Sequence, residues 1–267
     1  MSRLIESDIE KVAERMALSD QEFKKQTGCT MEETAQYAVG LKNRRTHYRT
    51  AVVPVTSGLG IIGGFSDTVC EILKYCGIDA WVTQKTDVAG LQEAYEKNAE
   101  MVFMADDDIF SAFLLDGRRI YSDNGYGTGI GYAAALSLAM KGKKEEVLVL
   151  GAGPVGRAAA GWFDLNQIPF SVYDVVEERA IEAVKGLPYG KVLESGRKKK
   201  EFHYFLDATP VEGVITKNDV AAGTVIASPG MPIGTTKEAQ KEAVLIFNPL
   251  ESGVLTMYYD CMKQDIG

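Results

Sequence analysis

Val147-Leu148-Val149-Leu150 is an unbroken apolar run, and Gly151-Ala152-Gly153-Pro154-Val155-Gly156 follows it directly. A helical pattern comes next, then a second apolar run, Phe170-Ser171-Val172-Tyr173, which ends on Asp174. Glycine at 151 permits a tight turn, Gly153 lets a pyrophosphate approach the backbone, and Gly156 lets the helix pack closely on the strand. Pro154 and Val155 open that helix, whose free N–H groups then face the phosphates. A carboxylate about 20 residues downstream accepts hydrogen bonds from ribose hydroxyls and repels a 2′-phosphate. The segment from Glu146 to Asp174 therefore predicts a nicotinamide dinucleotide site, for NAD rather than NADP, since no Arg follows Asp174 before Arg179.

In open parallel sheets, ligands sit outside the carboxyl ends of the strands. Asp207-Ala208-Thr209-Pro210 ends one later apolar run and Ser228-Pro229-Gly230 ends the next. Thr209, Pro210 and Pro229 are expected to wall the ribose and nicotinamide, although ordinary loop residues would look the same. In the first half the rule selects Thr56-Ser57-Gly58, Thr83-Gln84 and Ala105-Asp106-Asp107-Asp108, each just past an apolar run. Three consecutive carboxylates read either as a solvated helix start capped by Asp or as a cleft wall in which at least one pairs with an ammonium group. Neither histidine suits a general base: His47 lies in a polar segment, His203 at the wrong end of its strand, and both read as structural. Cys29, Cys70, Cys76 and Cys261 form no CxxC pair, so no metal is expected and the thiols read as reduced and buried.

The elements that must position these residues follow from periodicity. Ser7-Asp8-Ile9-Glu10 is a capping-box pattern, and Ile5, Ile9, Val12 and Met16 recur at helical spacing, so an amphipathic helix opens the chain. A short second helix begins at Thr30. Strands at 51–55, 80–83 and 101–104 alternate with helices at 66–75 and 88–97, which implies a parallel sheet. Gly117, Gly125, Gly127, Gly129 and Gly131 punctuate a loop leading into an alanine-rich helix. Five more strands, at 146–150, 170–173, 202–206, 224–227 and 244–247, imply a second open parallel sheet. The expected fold class is α/β with two domains. Residues 1–140 supply leading helices and a parallel α/β substrate domain ending in a connecting helix, and 141–267 a Rossmann domain.

The balance of 37 acidic against 29 basic residues, a formal net charge of -8, disfavours nucleic acid and anionic membranes and suits a small cationic ligand. Arg197-Lys198-Lys199-Lys200 reads as a solvated connection. The longest apolar stretch, 130–140, is too short to span a bilayer, and an N-terminus carrying Glu6, Asp8, Glu10 and Glu14 is unlike a signal peptide, so a cytoplasmic protein is expected. A homo-oligomer is left open.

The stretch Val53-Pro54-Val55-Thr56-Ser57-Gly58-Leu59-Gly60-Ile61-Ile62-Gly63, then Met104-Ala105-Asp106-Asp107 and Thr128-Gly129-Ile130, resembles the pyrrolysine synthase family, as does the glycine turn. The resemblance runs through both domains. It implies NAD-dependent oxidation of the terminal amine of 3-methylornithyl-N6-lysine, a lysine–ornithine isopeptide, with release of ammonium and ring closure to pyrrolysine. Carried over by position, it makes Thr56 and Ser57 hydrogen-bonding groups to substrate and Asp106 or Asp107 the carboxylate nearest its amines. Asn124 is a further substrate contact, and an N-terminal helix over the substrate implicates Leu4 and Ile5. Where the family suggests a carboxylate before Pro249-Leu250, this chain has Asn248, an acceptor without the charge. Two alternatives stay open: another two-domain NAD dehydrogenase acting on an amino acid or hydroxy acid, and a non-catalytic NADH sensor.

Overall fold

The computed structural model describes residues 12–42, 48–56, 63–106 and 108–266. Leu4, Ile5, His47, Ser57, Asp107 and the Ser7 capping pattern lie outside the described residues. The chain leads with helices α1 (Val12–Thr27) and α2 (Met31–Ala38). Val12, Met16 and Phe23 bury the inner face of α1. Thr30 caps α2 as its sequence suggests: its side chain accepts from the Glu33 amide, and the Glu33 carboxylate accepts from the Thr30 amide at 2.8 Å.

The first sheet is built from β1 (Thr50–Val53), β2 (Ala80–Val82), β3 (Met101–Ala105), β4 (Phe110–Leu114) and β5 (Tyr121–Asp123), in the order β2-β1-β3-β4-β5. Helix α3 (Phe65–Tyr75) joins β1 to β2, and α4 (Asp87–Glu96) joins β2 to β3. The parallel pairing of β1 with β2 and β3 is the predicted one. Both faces are covered: Ala51, Val53 and Val102 pack with Ala94 and Ala99, while Val52 and Phe103 face the main core. That is why these strands read as unbroken apolar runs. The sequence reading missed β4 and β5, which are antiparallel to their neighbours. Two reversals return β5 to the direction of β3, so its end at Asp123 shares an edge with the ends of β1, β2 and β3.

The expected glycine-rich loop is a helix. Gly125, Gly127, Gly129 and Gly131 lie in the first two turns of α5 (Asn124–Ala139), which Asp123 caps by accepting from the Tyr126 amide at 3.0 Å. Close packing explains the glycines. A Cβ on Gly127 would lie 2.7 Å from Met257 Cγ, one on Gly129 2.4 Å from the Val155 carbonyl oxygen, and one on Gly131 2.5 Å from Thr256 Oγ1.

The second sheet comprises β6 (Val147–Leu150), β7 (Phe170–Tyr173), β8 (Gly190–Val192), β9 (Tyr204–Asp207), β10 (Val225–Ala227) and β11 (Val244–Ile246). All are parallel, in the order β8-β7-β6-β9-β10-β11. The order reverses between β7-β6 and β9, the crevice where doubly wound sheets bind dinucleotides. Helices α6 (Pro154–Leu165), α7 (Glu177–Val184) and α8 (Lys237–Gln240) lie along these crossovers. Edge strand β8 was not predicted, because Gly190-Lys191-Val192 is short and carries no apolar run. The ring of Phe170 takes the place of a side chain over Gly190.

The last helix, α9 (Glu251–Ile266), is buried from Glu251 through Met262 and packs back onto α5, α2, β4 and β5. Further ties cross the molecule: Gln26 Nε2 donates to the Leu245 carbonyl at 3.0 Å, and Trp162 Nε1 to the Ala38 carbonyl at 2.8 Å. A single main core, from Val52 and Phe103 through Tyr132 and Leu136 to Val149 and Phe163, joins both sheets. Among the described residues no helix is long and apolar enough to cross a membrane.

Candidate active site

The glycine turn has the geometry its sequence implies. Gly151 adopts φ 91°, a left-handed conformation unfavourable for side chains with a Cβ. A Cβ on Gly156 would lie 1.9 Å from the Gly151 carbonyl oxygen, so that position admits only glycine. A Cβ on Gly153 would meet no protein atom within 4 Å, so the space beside it is open to a ligand. Pro154 begins α6 behind Gly153, leaving the first helical amides directed outward. Asp174 sits just past β7, where its Oδ2 accepts from the Ala152 amide at 2.7 Å and its Oδ1 from the Val176 amide at 2.9 Å. An open cradle at Gly153 beside this carboxylate fits a dinucleotide.

Across the crevice, the ends of β9 and β10 are tied by a residue to which the sequence reading gave no role. Asp207 is fully buried, and its Oδ1 accepts from Thr209 N at 3.2 Å and Thr209 Oγ1 at 2.7 Å. Its backbone carbonyl accepts from the Gly230 amide at 3.1 Å. Burial pushes its carboxyl above the usual range, against the lowering effect of those Thr209 bonds. Asp207 thereby holds Thr209 and the turn after Pro229 together, and a Cβ on Gly151 would come within 2.9 Å of the Ala208 carbonyl oxygen. Thr209 and Pro229 are half-buried and Pro210 exposed on this edge.

On the first sheet, Thr56 is exposed beyond β1 and bound to Asp87 at the start of α4. Asp106 does not start a helix. Its Oδ1 accepts from Asp108 N at 2.8 Å and Ile109 N at 2.7 Å, turning the chain from β3 into β4. These backbone bonds hold its carboxyl below the usual range. Asn124 begins α5, with Oδ1 accepting from Thr128 Oγ1 at 3.0 Å. The adjoining Gly125 touches the cofactor turn: a Cβ there would lie 2.9 Å from Pro154 Cβ. The carboxyl edge of the first sheet is thus brought against the glycine turn at this point.

Asn248, just past β11, is buried, and both ends of its amide meet Ser252: Nδ2 donates to Oγ and Oδ1 accepts from the amide, each at 2.8 Å. The side chain therefore caps the start of α9. Three residues on, Glu251 is a buried carboxyl that burial pushes above its ordinary value. The sequence signal for Glu251 was present, an acidic residue opening an apolar helix, but that pattern marks surface helix starts equally well. His203 is exposed beside Glu145, away from the glycine turn; within the basic run Arg197 bonds Glu146 and stacks on Phe202, and Lys199 bonds the Val214 carbonyl.

Residues 8–120 match the N-terminal domain of the pyrrolysine biosynthesis protein PylD. Over 264 residues, 98% of this chain and 100% of the other, the sequence is 30% identical to the pyrrolysine synthase of Methanosarcina acetivorans. The chain belongs to the pyrrolysine synthase family. A second pyrrolysine synthase, from Methanosarcina barkeri, is 34% identical over 221 residues, 80% of this chain and 81% of that protein. Family membership makes the chain a dehydrogenase-type oxidoreductase of pyrrolysine biosynthesis. Its two-domain architecture recurs in a shikimate dehydrogenase from Aquifex aeolicus, with a TM-score of 0.54 at 13% identity over 84% of this chain and 94% of that one. It recurs also in a quinate dehydrogenase from Corynebacterium glutamicum in complex with NAD, with a TM-score of 0.51 at 12% identity over 80% and 91% of the two chains. At these identities the likeness is one of fold. For this pyrrolysine synthase family member, a small-molecule substrate follows.

Proposed function

We propose that this family member uses NAD to oxidise the terminal primary amine of 3-methylornithyl-N6-lysine, yielding pyrrolysine, NADH and ammonium. The contact between Gly125 and Pro154 carries this reading, since it sets an edge bearing Thr56, Asp87, Asp106 and Asn124 beside the turn suited to the cofactor. Gly151, Gly153, Pro154 and Val155 would line the pyrophosphate, with Gly156 seating the helix behind them; Asp174 would take the ribose, and Thr209, Pro210 and Pro229 would wall the nicotinamide. Asp174 favours NAD over NADP by charge. When bound, the nicotinamide accepts the hydride from the amine-bearing carbon.

The chain's own residues bind and orient the amines and manage the proton. An alkylammonium must lose a proton before its carbon can give up hydride. Asp106 is stabilised as a carboxylate by two backbone amides, which suits an ion pair better than proton uptake. The proton then passes to Asp107 or to water. The resulting imine takes up water and releases ammonium to leave an aldehyde, and attack by the ornithine α-amine expels water and closes the ring. Thr56, Ser57 and Asn124, together with Leu4 and Ile5, complete the substrate site in this reading, and Asn248 supports it from the buried cap of α9. The assignment divides labour between a substrate half, 1–140, and a cofactor half, 141–267, with α9 crossing back, in a cytoplasmic enzyme able to form homo-oligomers.

Purified protein given NAD and 3-methylornithyl-N6-lysine should produce NADH absorbance and a product lighter than substrate by ammonia and two hydrogens. Well-folded protein without turnover would reject the reading.

A further inference from the structure

Asp87 holds an unusual position at the substrate edge. It is the first residue of α4, yet its φ of 53° puts a residue with a side chain in the left-handed region. Such conformations carry a steric cost and persist only where the surroundings impose them. Here they are imposed from below. A Cβ on Gly90, one turn into α4, would lie 2.5 Å from the Lys85 carbonyl oxygen and 2.7 Å from Val53 Cγ1, so α4 approaches β1 more closely than a residue with a side chain would allow. Buried Glu93 accepts from the amides of Gln84 at 3.2 Å and Lys85 at 2.9 Å, and pairs with Lys97 at 2.8 Å. Thr83 Oγ1 donates to the Lys85 carbonyl at 2.7 Å.

So fixed, Asp87 grips the loop after β1 at three points. Its amide donates to the Pro54 carbonyl at 2.9 Å, its Oδ1 accepts from the Thr56 amide at 2.7 Å, and its Oδ2 accepts from the Thr56 hydroxyl. The third bond has a chemical consequence. A threonine hydroxyl has one hydrogen and two lone pairs. With the hydrogen committed to Asp87, the outward side of Thr56 Oγ1 can only accept, and a carboxylate stands directly behind it. The Thr56 bonds also hold the Asp87 carboxyl below its usual range, so the charge is present at neutral pH.

We propose that Asp87 is a positioning residue that makes the Thr56 hydroxyl an acceptor-only, negatively backed contact for an alkylammonium group of the substrate. This deepens the proposed function and rests on its reading of Thr56 as a substrate contact. The arrangement suits a donor cation and disfavours a carboxylate or carbonyl at the same point. A sheet end that needed only a tight turn would not require the hydroxyl to be polarised by a charge.

Asp87→Asn tests the role with little risk to the fold, because Asn keeps the acceptor for the Thr56 amide and tolerates left-handed backbone well. Its Nδ2 would donate to Thr56 Oγ1 and turn the hydroxyl hydrogen toward substrate. With 3-methylornithyl-N6-lysine as substrate, Asp87→Asn should raise KM about tenfold or more, with kcat within about threefold, as expected for losing one charge-assisted contact. Its melting temperature and its Kd for NAD should match the parent's. Thr56→Val should raise KM comparably, and adding Asp87→Asn to Thr56→Val should raise it less than about twofold further, since both act through one hydroxyl.

If Thr56→Val raises KM while Asp87→Asn leaves it alone, the role of Asp87 is overturned and Thr56 keeps its own. Additive effects in the double variant, or a fall in kcat and melting temperature together in Asp87→Asn, would also overturn it by showing a turn-stabilising role only. An unaltered KM in Thr56→Val would remove the reading of Thr56 itself, and the inference with it.

Discussion

Gly156 stands so close to Gly151 that a Cβ on the former would lie 1.9 Å from the carbonyl oxygen of the latter, whereas a Cβ on the intervening Gly153 would touch nothing. The two positions should therefore separate stability from cofactor binding. Gly156→Ala overpacks the strand–helix junction, and a loss of roughly 1–3 kcal/mol is expected from the forced backbone shift. Gly153→Ala should leave the melting temperature near that of the parent and weaken NAD binding, because its methyl group occupies the space that the pyrophosphate needs. Thermal melts beside NAD titrations check this. Equal stability loss in both variants, or unchanged NAD affinity in Gly153→Ala, would contradict it.

Asp174 links the ribose position to the glycine turn through its bond from the Ala152 amide. Asp174→Ala removes an acceptor for the ribose hydroxyls and the charge that repels a 2′-phosphate. NAD affinity should fall about tenfold or more, the size of one charge-assisted hydrogen bond, while the ratio of NADP to NAD affinity rises. Calorimetric titration with both dinucleotides measures it. An unaltered Kd for NAD would remove the ribose assignment.

The second sheet was largely legible in the sequence, because β6, β9 and β10 are buried throughout and β7 and β11, though each has one exposed end residue, still spell mostly apolar runs. Gly190-Lys191-Val192 hides in the edge position, where only one neighbour demands an apolar strand. The first sheet was half legible. Phe110–Leu114 reverses direction through a turn set by Asp106 and Tyr121–Asp123 through a second turn at Asp116, and Asp triplets mark helix starts as readily as hairpin turns. Gly125 to Gly131 read as a loop because intrinsic propensity disfavours glycine in helices, and tertiary contact with Met257, Val155 and Thr256 overrode it. In the site, the glycine turn and Asp174 could be found from local spacing. Asp87 and Asp207 could not: Asp87 acts on a residue 31 positions away, and Asp207 acts by burial, which no spacing records.

Asp106 serves the β3–β4 turn whether or not it meets substrate. Asp106→Ala should lower the melting temperature, since two backbone amides lose their acceptor. Asp106→Asn keeps an acceptor there and should fold like the parent, so its kinetics report on charge alone. Compared with Asp107→Asn, it should identify the carboxylate that holds the amine, by a loss of about tenfold or more in kcat/KM in at least one variant. Unchanged turnover in both would sink the amine contact.

Two buried carboxyls should give opposite pH dependences. Hydrogen bonds from Lys97 and from the Lys85 and Gln84 amides bring the Glu93 carboxyl down to about 2. Its contribution to stability is complete above the unfolded value of about 4.3 and is lost as the pH falls toward the folded one. Glu93→Gln should be less stable than the parent at neutral pH, with the gap closing in acid. Burial raises Glu251, so the folded protein holds that proton when the unfolded chain has released it, and stability falls as the pH rises above the unfolded value. Glu251→Gln should gain on the parent across that rise. Melting temperatures from acid to neutral pH test both, and gaps independent of pH would contradict the assignments.

The central claim is that hydride leaves the carbon that also loses its nitrogen. Substrate dideuterated at the amine-bearing carbon and carrying heavy nitrogen at the terminal amine tests it in one incubation with NAD. The account predicts one deuterium in the reduced cofactor, one in the ring C–H of the product, and all of the heavy nitrogen in released ammonium. Heavy nitrogen retained in the ring, or reduced cofactor without deuterium, would contradict it.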